Sequence, residues 1–181
     1  ALDQFGEWAY SKTTKKIAVY FGGQNPSNLT IQVAKREHLV VNSPYVKNLT
    51  FRNLEFKGSN KNLLMIQKSG GVTVENCSLN FAGENAIYGS DTPDFIVRNN
   101  QFNRALSGAI YFWYGTPRTN ISDNLIENSM PFQGMAKSSD LTGIGIYIPA
   151  DANNAVIERN RVLNSGYNGI HFGGNFTLIK N

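Results

Sequence analysis

FIVRNNQF, residues Phe95 to Phe102, is a phrase that the chain repeats with its apolar and polar positions intact. Earlier copies read VKNLTFRNLEF (Val46 to Phe56) and GVTVENCSL (Gly71 to Leu79). Later ones read NISDNLI (Asn120 to Ile126), AVIERNRV (Ala155 to Val162) and FTLIKN (Phe176 to Asn181). Aligned on the inward apolar residue, the column is Phe51, Val74, Val97, Ile121, Ile157 and Leu178, at steps of 23, 23, 24, 36 and 21 residues. Self-similarity at such a period marks stacked supersecondary units, none of which buries its apolar face alone.

Each period holds a second strand-like phrase. Its inward column is Leu64, Ile87, Ile110, Ile146 and Ile170, with Ile66, Gly89, Phe112, Ile148 and Phe172 two residues on. Both columns lengthen in the same period, where the polar stretch Ser129 to Thr142 reads as a loop extruded from one coil. Alternation at period two, with nothing sustained at helical spacing, makes the units coils of parallel strand. Leucine-rich repeats would need a Leu-x-Leu frame with a helical return, and propeller blades run to about 40 residues or more. What remains is an all-β, right-handed parallel β-helix of about 23 residues per coil. Residues 1–28 precede it as a hairpin or flap and entry segment, from the strand-like runs Trp8 to Tyr10 and Ile17 to Phe21 around SKTTKK. Residues 29–181 form the coils, the first irregular, with Leu29 to Val33 and His38 to Val41 as its strands.

Two more columns test this register. After the first strand of each coil stand Leu54, Cys77, Asn100, Asn124, Asn160 and Asn181, so asparagine can stack on asparagine at the ~4.8 Å strand spacing. The outward residues just before them read Arg52, Glu75, Arg98, Ser122 and Glu158, which sets opposite charges side by side in the first three. The chain stops on a ladder position without a sealing element, so the reading expects part of a longer β-helix, whose remainder would be a partner of these coils.

The 181 residues are 41% hydrophobic, enough for one substantial core, and contain no apolar run of 18 or more residues that would span a membrane. The single cysteine, Cys77, excludes an internal disulfide framework and a multi-cysteine zinc site, and reads as a structural thiol. A net charge of +4 suits an acidic partner such as nucleic acid or a uronic-acid polymer. The charge is scattered, with no basic run or recognition-helix pattern, and the reading expects no nucleic-acid partner.

The phrases GVTVENCSL, FIVRNNQF and SGYNGIHFGGN resemble the repeats of secreted right-handed β-helix proteins, the pectate-lyase-like superfamily. That group includes polygalacturonase-type hydrolases, alginate lyases and epimerases, and phage tailspikes. The opening GEWAYSKTTKKIAVYF resembles a Trp/Tyr hairpin found before the coils in some bacterial polysaccharide-degrading members. The resemblance implies a secreted, periplasmic or cell-surface protein acting on polysaccharide or oligosaccharide as a glycoside hydrolase or lyase. The alternative it leaves is a non-catalytic glycan-binding, adhesive or tailspike-like scaffold. The family's motifs are only partly matched. No adjacent aspartates occur, and the candidate histidine stands as Ile170-His171-Phe172 where a Gly-His-Gly would be expected. A calcium and arginine site of the pectate-lyase kind would draw on Asp91, Asp94 and Asp151 with Arg104 or Arg118. Acidic residues in turns serve more often as turn formers, so the reading carries no cofactor, with calcium as the minor alternative.

The expected site is the outward column of the second phrase, Tyr88, Tyr111, Tyr147 and His171, preceded by Met65. Its neighbours are small on one side (Ala86, Ala109, Gly145, Gly169), and on the other are Ser90, Trp113, Pro149 and Gly173. Such a trough predicts sugar binding by Tyr88, Tyr111, Trp113 and Tyr147. His171 would transfer a proton or orient substrate, with Glu84 or Asp151 as the acid or base. The competing reading makes the tyrosines a stabilising stack, or packs them under the Ser129 to Thr142 loop.

Overall fold

The computed structural model describes residues 2–132 and 142–181. The chain divides into two compact units, Ala1–Val33 and Ala34–Asn181. The first holds an antiparallel hairpin, Trp8–Ser11 against Lys16–Val19, as the alternation predicts. Ser11 Oγ accepts from the Thr14 amide at 3.2 Å inside its turn, and Lys15 supplies the left-handed residue, φ 54°. Pro26–Asn28 forms a 3-10 turn capped by the Asn25 side chain. The strand expected over Leu29 to Val33 is not formed. Alternation makes a strand only where a second backbone lies in register to complete its hydrogen bonds.

The second unit is a right-handed parallel β-helix of about six turns at ~23-residue spacing. Each regular coil passes through three sheets. Among the described residues the first sheet stacks Thr50–Arg52, Thr73–Glu75, Ile96–Arg98, Asn120–Ser122, Val156–Glu158 and Leu178–Lys180. The second stacks Glu55–Ser59, Ser78–Ala82, Gln101–Ala105, Leu125–Glu127 and Arg161–Leu163. The third stacks Val40–Val41, Leu64–Gln67, Asn85–Ser90, Gly108–Phe112, Ile144–Tyr147 and Ile170–His171. The repeating phrase centred on FIVRNNQF therefore holds two strands, Ile96–Arg98 and the start of Gln101–Ala105, on either side of the corner expected after the first. A left-handed residue bends it at the same place in each coil: Asn53, Asn76, Asn99, Asp123 and Arg159, with φ from 49° to 58°. Asparagine and aspartate adopt this conformation at lower cost than most residues, which explains the Asn-rich corners.

The columns read from the sequence line up in register, from Phe51↔Val74 to Ile121↔Ile157 and from Leu64↔Ile87 to Ile146↔Ile170. Their aliphatic side chains, with Phe56, Leu79, Phe102 and Ile126 of the second sheet, fill the interior. Gly89 leaves the space that the Phe112 ring of the next coil occupies, so a Cβ there would collide with the ring. The asparagine ladder is formed: Asn100 Oδ1 accepts from Cys77 N, Asn124 Oδ1 from Asn100 N, and Asn160 Oδ1 from Asn124 N, at 2.9 to 3.1 Å. Cys77 is buried in the same column, its thiol 3.2 Å from the Glu75 carbonyl. Glu75 lies between Arg52 and Arg98 and is ion-paired to both; these hydrogen bonds hold its carboxyl below the usual range.

The last coil differs from the expected register by one residue. Ile157 pairs with Ile179, and Leu178 pairs with Val156. FTLIKN offers adjacent apolar residues, and the backbone pairing selects the second, so Asn181 does not continue the column of Asn160.

Candidate functional site

The third sheet puts Met65, Tyr88, Tyr111, Tyr147 and His171 side by side on successive strands. Parallel pairing at the ~4.8 Å strand spacing brings their rings into contact. Centroids are 6.0 Å apart for Tyr88 and Tyr111, 4.7 Å for Tyr111 and Tyr147, and 5.1 Å for Tyr147 and His171. The three tyrosine rings are nearly parallel, at 12° and 18°. This stack uses the ring faces internally. Tyr111 and Tyr147 are covered on both sides by their neighbours, and Tyr147 is only 9% exposed. The column thus offers edges and hydroxyls where sugar-stacking faces were expected. Burial pushes all three phenols up, Tyr111 to about 12 with help from the Tyr147 and Tyr88 phenols, so they stay neutral hydrogen-bond donors.

Trp113 is the stacking surface that remains open. It lies parallel to Tyr111 with centroids 6.3 Å apart and is 49% exposed. The positions beside it on adjoining coils are Ser90 and Pro149, which cover little of an indole face. The trough expected on its other side does not form. Ala86 and Ala109 are each 1% exposed and belong to the core, as do the isoleucines that follow them. A Cβ at Gly145 would likewise meet the Val162 side chain. Two successive inward residues open these strands at the corner, so alternation assigns the small residues to the wrong face.

Asp91, Gly115 and Asp151 occupy neighbouring turns just past the third-sheet strands, and the Asp91 amide donates to the Tyr114 carbonyl at 2.8 Å. The Gly115 amide donates to Asp151 Oδ2 at 2.8 Å, and a Cβ on Gly115 would stand 2.5 Å from Asp91 Oδ1. These two contacts bound the separation of the carboxylate oxygens at about 8 Å or less. Gly115 has φ +65°, and no side chain rises between the two acids. Both aspartates are exposed, and the charge of Asp151 contributes to the raised Tyr147 phenol.

The remaining expected site residues fall elsewhere. Glu84 precedes the strand Asn85–Ser90, and its carbonyl accepts from Ser107 N, whose own carbonyl accepts from Gly143 N. It is therefore two coils away from Asp151 and at the opposite end of the strands. His171 is exposed at the end of the ring column, three strands from Tyr88, about 14 Å at strand spacing. His38 Nδ1 accepts from Asn62 N at 3.3 Å. The grouping of Asp91, Asp94 and Asp151 for calcium is not assembled. Asp94 is paired through both oxygens to Arg118 at 2.6 and 2.8 Å, which lowers its pKa, and among the described residues no three His, Cys, Asp or Glu gather as metal ligands. Arg104 lies over Phe81, 5.6 Å from the ring centroid. Most of the loop from Ser129 to Thr142 lies outside the described residues.

Sequence reasoning grouped Asp91 with Asp151 only as calcium ligands, together with Asp94, and for acid–base chemistry set Asp151 beside His171 instead. The signal was present: Asp91, Gly115 and Asp151 are separated by 24 and 36 residues, close to the 23 and 36 of the tyrosine column.

No curated protein and no solved structure matches the chain significantly. The family described as right-handed beta helix region matches residues 37–181, beginning where the Arg36 and Glu37 carbonyls accept from Asn60 N and Lys61 N of the next coil. The chain belongs to the right-handed β-helix family.

Proposed function

We propose that this β-helix is a polysaccharide-degrading glycoside hydrolase acting outside the cytoplasm, on an extracellular glycan. The observation that carries the reading is the pair Asp91 and Asp151 facing across Gly115, with the open indole of Trp113 two residues before that glycine. An upper bound of about 8 Å on their separation is compatible with the range used by glycosidic carboxylate pairs, about 5 to 9.5 Å. One carboxylic acid gives its proton to the leaving glycosidic oxygen. The other carboxylate acts at the anomeric carbon, directly or through a water whose proton it takes, and water ends on the new reducing sugar. Trp113 supplies a face for one sugar ring, and the hydroxyl edges of Tyr88, Tyr111 and Tyr147 donate hydrogen bonds along the chain. His171, exposed at the end of the column, orients a further sugar.

The test incubates the protein with a panel of neutral and uronate-containing polysaccharides, and measures new reducing ends together with the absorbance of unsaturated uronates. Hydrolysis predicts reducing ends without that absorbance. Reducing ends accompanied by the absorbance would make it a lyase. Binding with neither would leave the glycan-binding scaffold, a reading supported by the same exposed Trp113.

A further inference from the structure

We propose that the N-terminal hairpin is a docking surface for an anionic polysaccharide, a uronate polymer, in addition to the site on the third sheet. Pairing of Trp8 with Val19 and of Tyr10 with Ile17 places these four side chains on one face of the ribbon, and leaves Ala9, Ser11, Lys16 and Ala18 on the other. Trp8, Tyr10 and Ile17 are each roughly half exposed. Trp8 and Tyr10 are two residues apart on one strand, about 7 Å along it, so two rings stand in line on an open face.

The charge on this surface has one sign. From Trp8 to Val33 the chain carries Lys12, Lys15 and Lys16 and no acidic residue; all three are exposed, Lys12 and Lys15 in the hairpin turn next to the ring face, Lys16 at the strand end on the opposite face. Glu7, the nearest acid before the strand, is buried, with one oxygen accepting from the amides of Asp3 and Gln4 at 2.7 and 2.9 Å. These hydrogen bonds lower its pKa and hold the carboxylate against its own loop, and among the described residues it forms no ion pair with a lysine of the hairpin. Rings for sugar faces beside unpaired ammonium groups are complementary to a polymer that repeats an apolar sugar face and a carboxylate. That the polymer is a glycan rests on the function proposed above.

The experiment uses the whole chain in a Trp113→Phe background, in which Trp8 is the one tryptophan left of two. Its fluorescence is titrated with polygalacturonate, a neutral glucan and single-stranded DNA, at low and high salt. The variant Lys12→Gln/Lys15→Gln/Lys16→Gln keeps the apolar face and should bind polygalacturonate about tenfold more weakly at low salt, with the difference shrinking as salt rises. Trp8→Phe should retain most of the affinity, measured by competition. Equal affinity of the triple-Gln variant, equal binding of the neutral glucan, or tighter binding of DNA would each overturn the proposal. Reducing-end release from short oligosaccharides, measured in parallel on the otherwise native triple-Gln variant, keeps the two readings apart. Cleavage with no lysine effect on polymer binding sinks the hairpin alone, whereas lysine-dependent binding without cleavage of any substrate sinks the hydrolase alone.

Discussion

Asn124→Ala removes the centre of the corner ladder. Asn124 is 2% exposed, its Oδ1 accepts from both the backbone and side-chain nitrogens of Asn100 at 3.0 Å, and its Nδ2 donates to the Val97 carbonyl and to Asn160 Oδ1 at 2.9 Å. The alanine leaves the Asn100 amide, itself almost fully buried, and the Val97 carbonyl without these partners. A buried group left unsatisfied costs about 1–3 kcal/mol, so the two backbone groups together cost about 4 kcal/mol. In a chain of this size that corresponds to a Tm lowered by about 10 °C. Asn80→Ala is the matched control. Asn80 is a half-buried strand residue whose amide donates to Ser78 Oγ at 2.7 Å, and water can replace that bond at a cost of about 0.5–1 kcal/mol. Thermal unfolding followed by circular dichroism compares the two variants, and amide exchange at Asn100 gives a local reading that should lose protection only in Asn124→Ala. Equal Tm losses, with Asn100 still protected, would refute the claim that the ladder holds the corners.

Gly115→Ala forces a left-handed alanine, at about 1–2 kcal/mol, and sets a methyl against Asp91. Tm should fall by only a few degrees while reducing-end release falls at least tenfold; loss of neither would remove Gly115 from the site. Raising the pH titrates the ring column. The folded Tyr111 pKa of about 12 lies above its ordinary 10.0, so the stability it contributes is fully present below about pH 10 and is lost between about pH 10 and 12, as the unfolded chain ionises first. Phenolate absorbance should show late-titrating tyrosines, of which Tyr111→Phe removes the one near pH 12, and the absence of any late titration from the native protein would contradict the buried stack.

The repeat made the coils legible because it recurs at matching intervals in two phrases, and independent columns, the asparagines and the Arg52, Glu75, Arg98 charges, agree with it. Local departures were not legible. The corner inside each phrase was expected, but the left-handed residue that makes it, Asn76 or Asn99, is not distinguished by a hydrophobic pattern from any other polar position. Alternation assigns Ala109 outward, yet the strand enters from a corner with Ala109 and Ile110 both in the core. The tyrosine column was readable from register, but register alone does not say whether rings in contact leave their faces free; the 4.7 Å spacing of Tyr111 and Tyr147 answers that. Asp91 and Asp151 each read as a turn former, since their convergence depends on Gly115 lacking a side chain between them.

The most direct test of the hydrolytic site compares the native protein with Asp91→Asn and Asp151→Asn on the polysaccharide that the substrate panel selects, reading reducing-end release and oligosaccharide affinity on the same samples. Each variant should lose at least a hundredfold in turnover while keeping affinity within a few-fold, because the amide preserves shape and removes the proton transfer or nucleophilic attack. Turnover unchanged in either variant would contradict the assignment of the Asp91 and Asp151 pair.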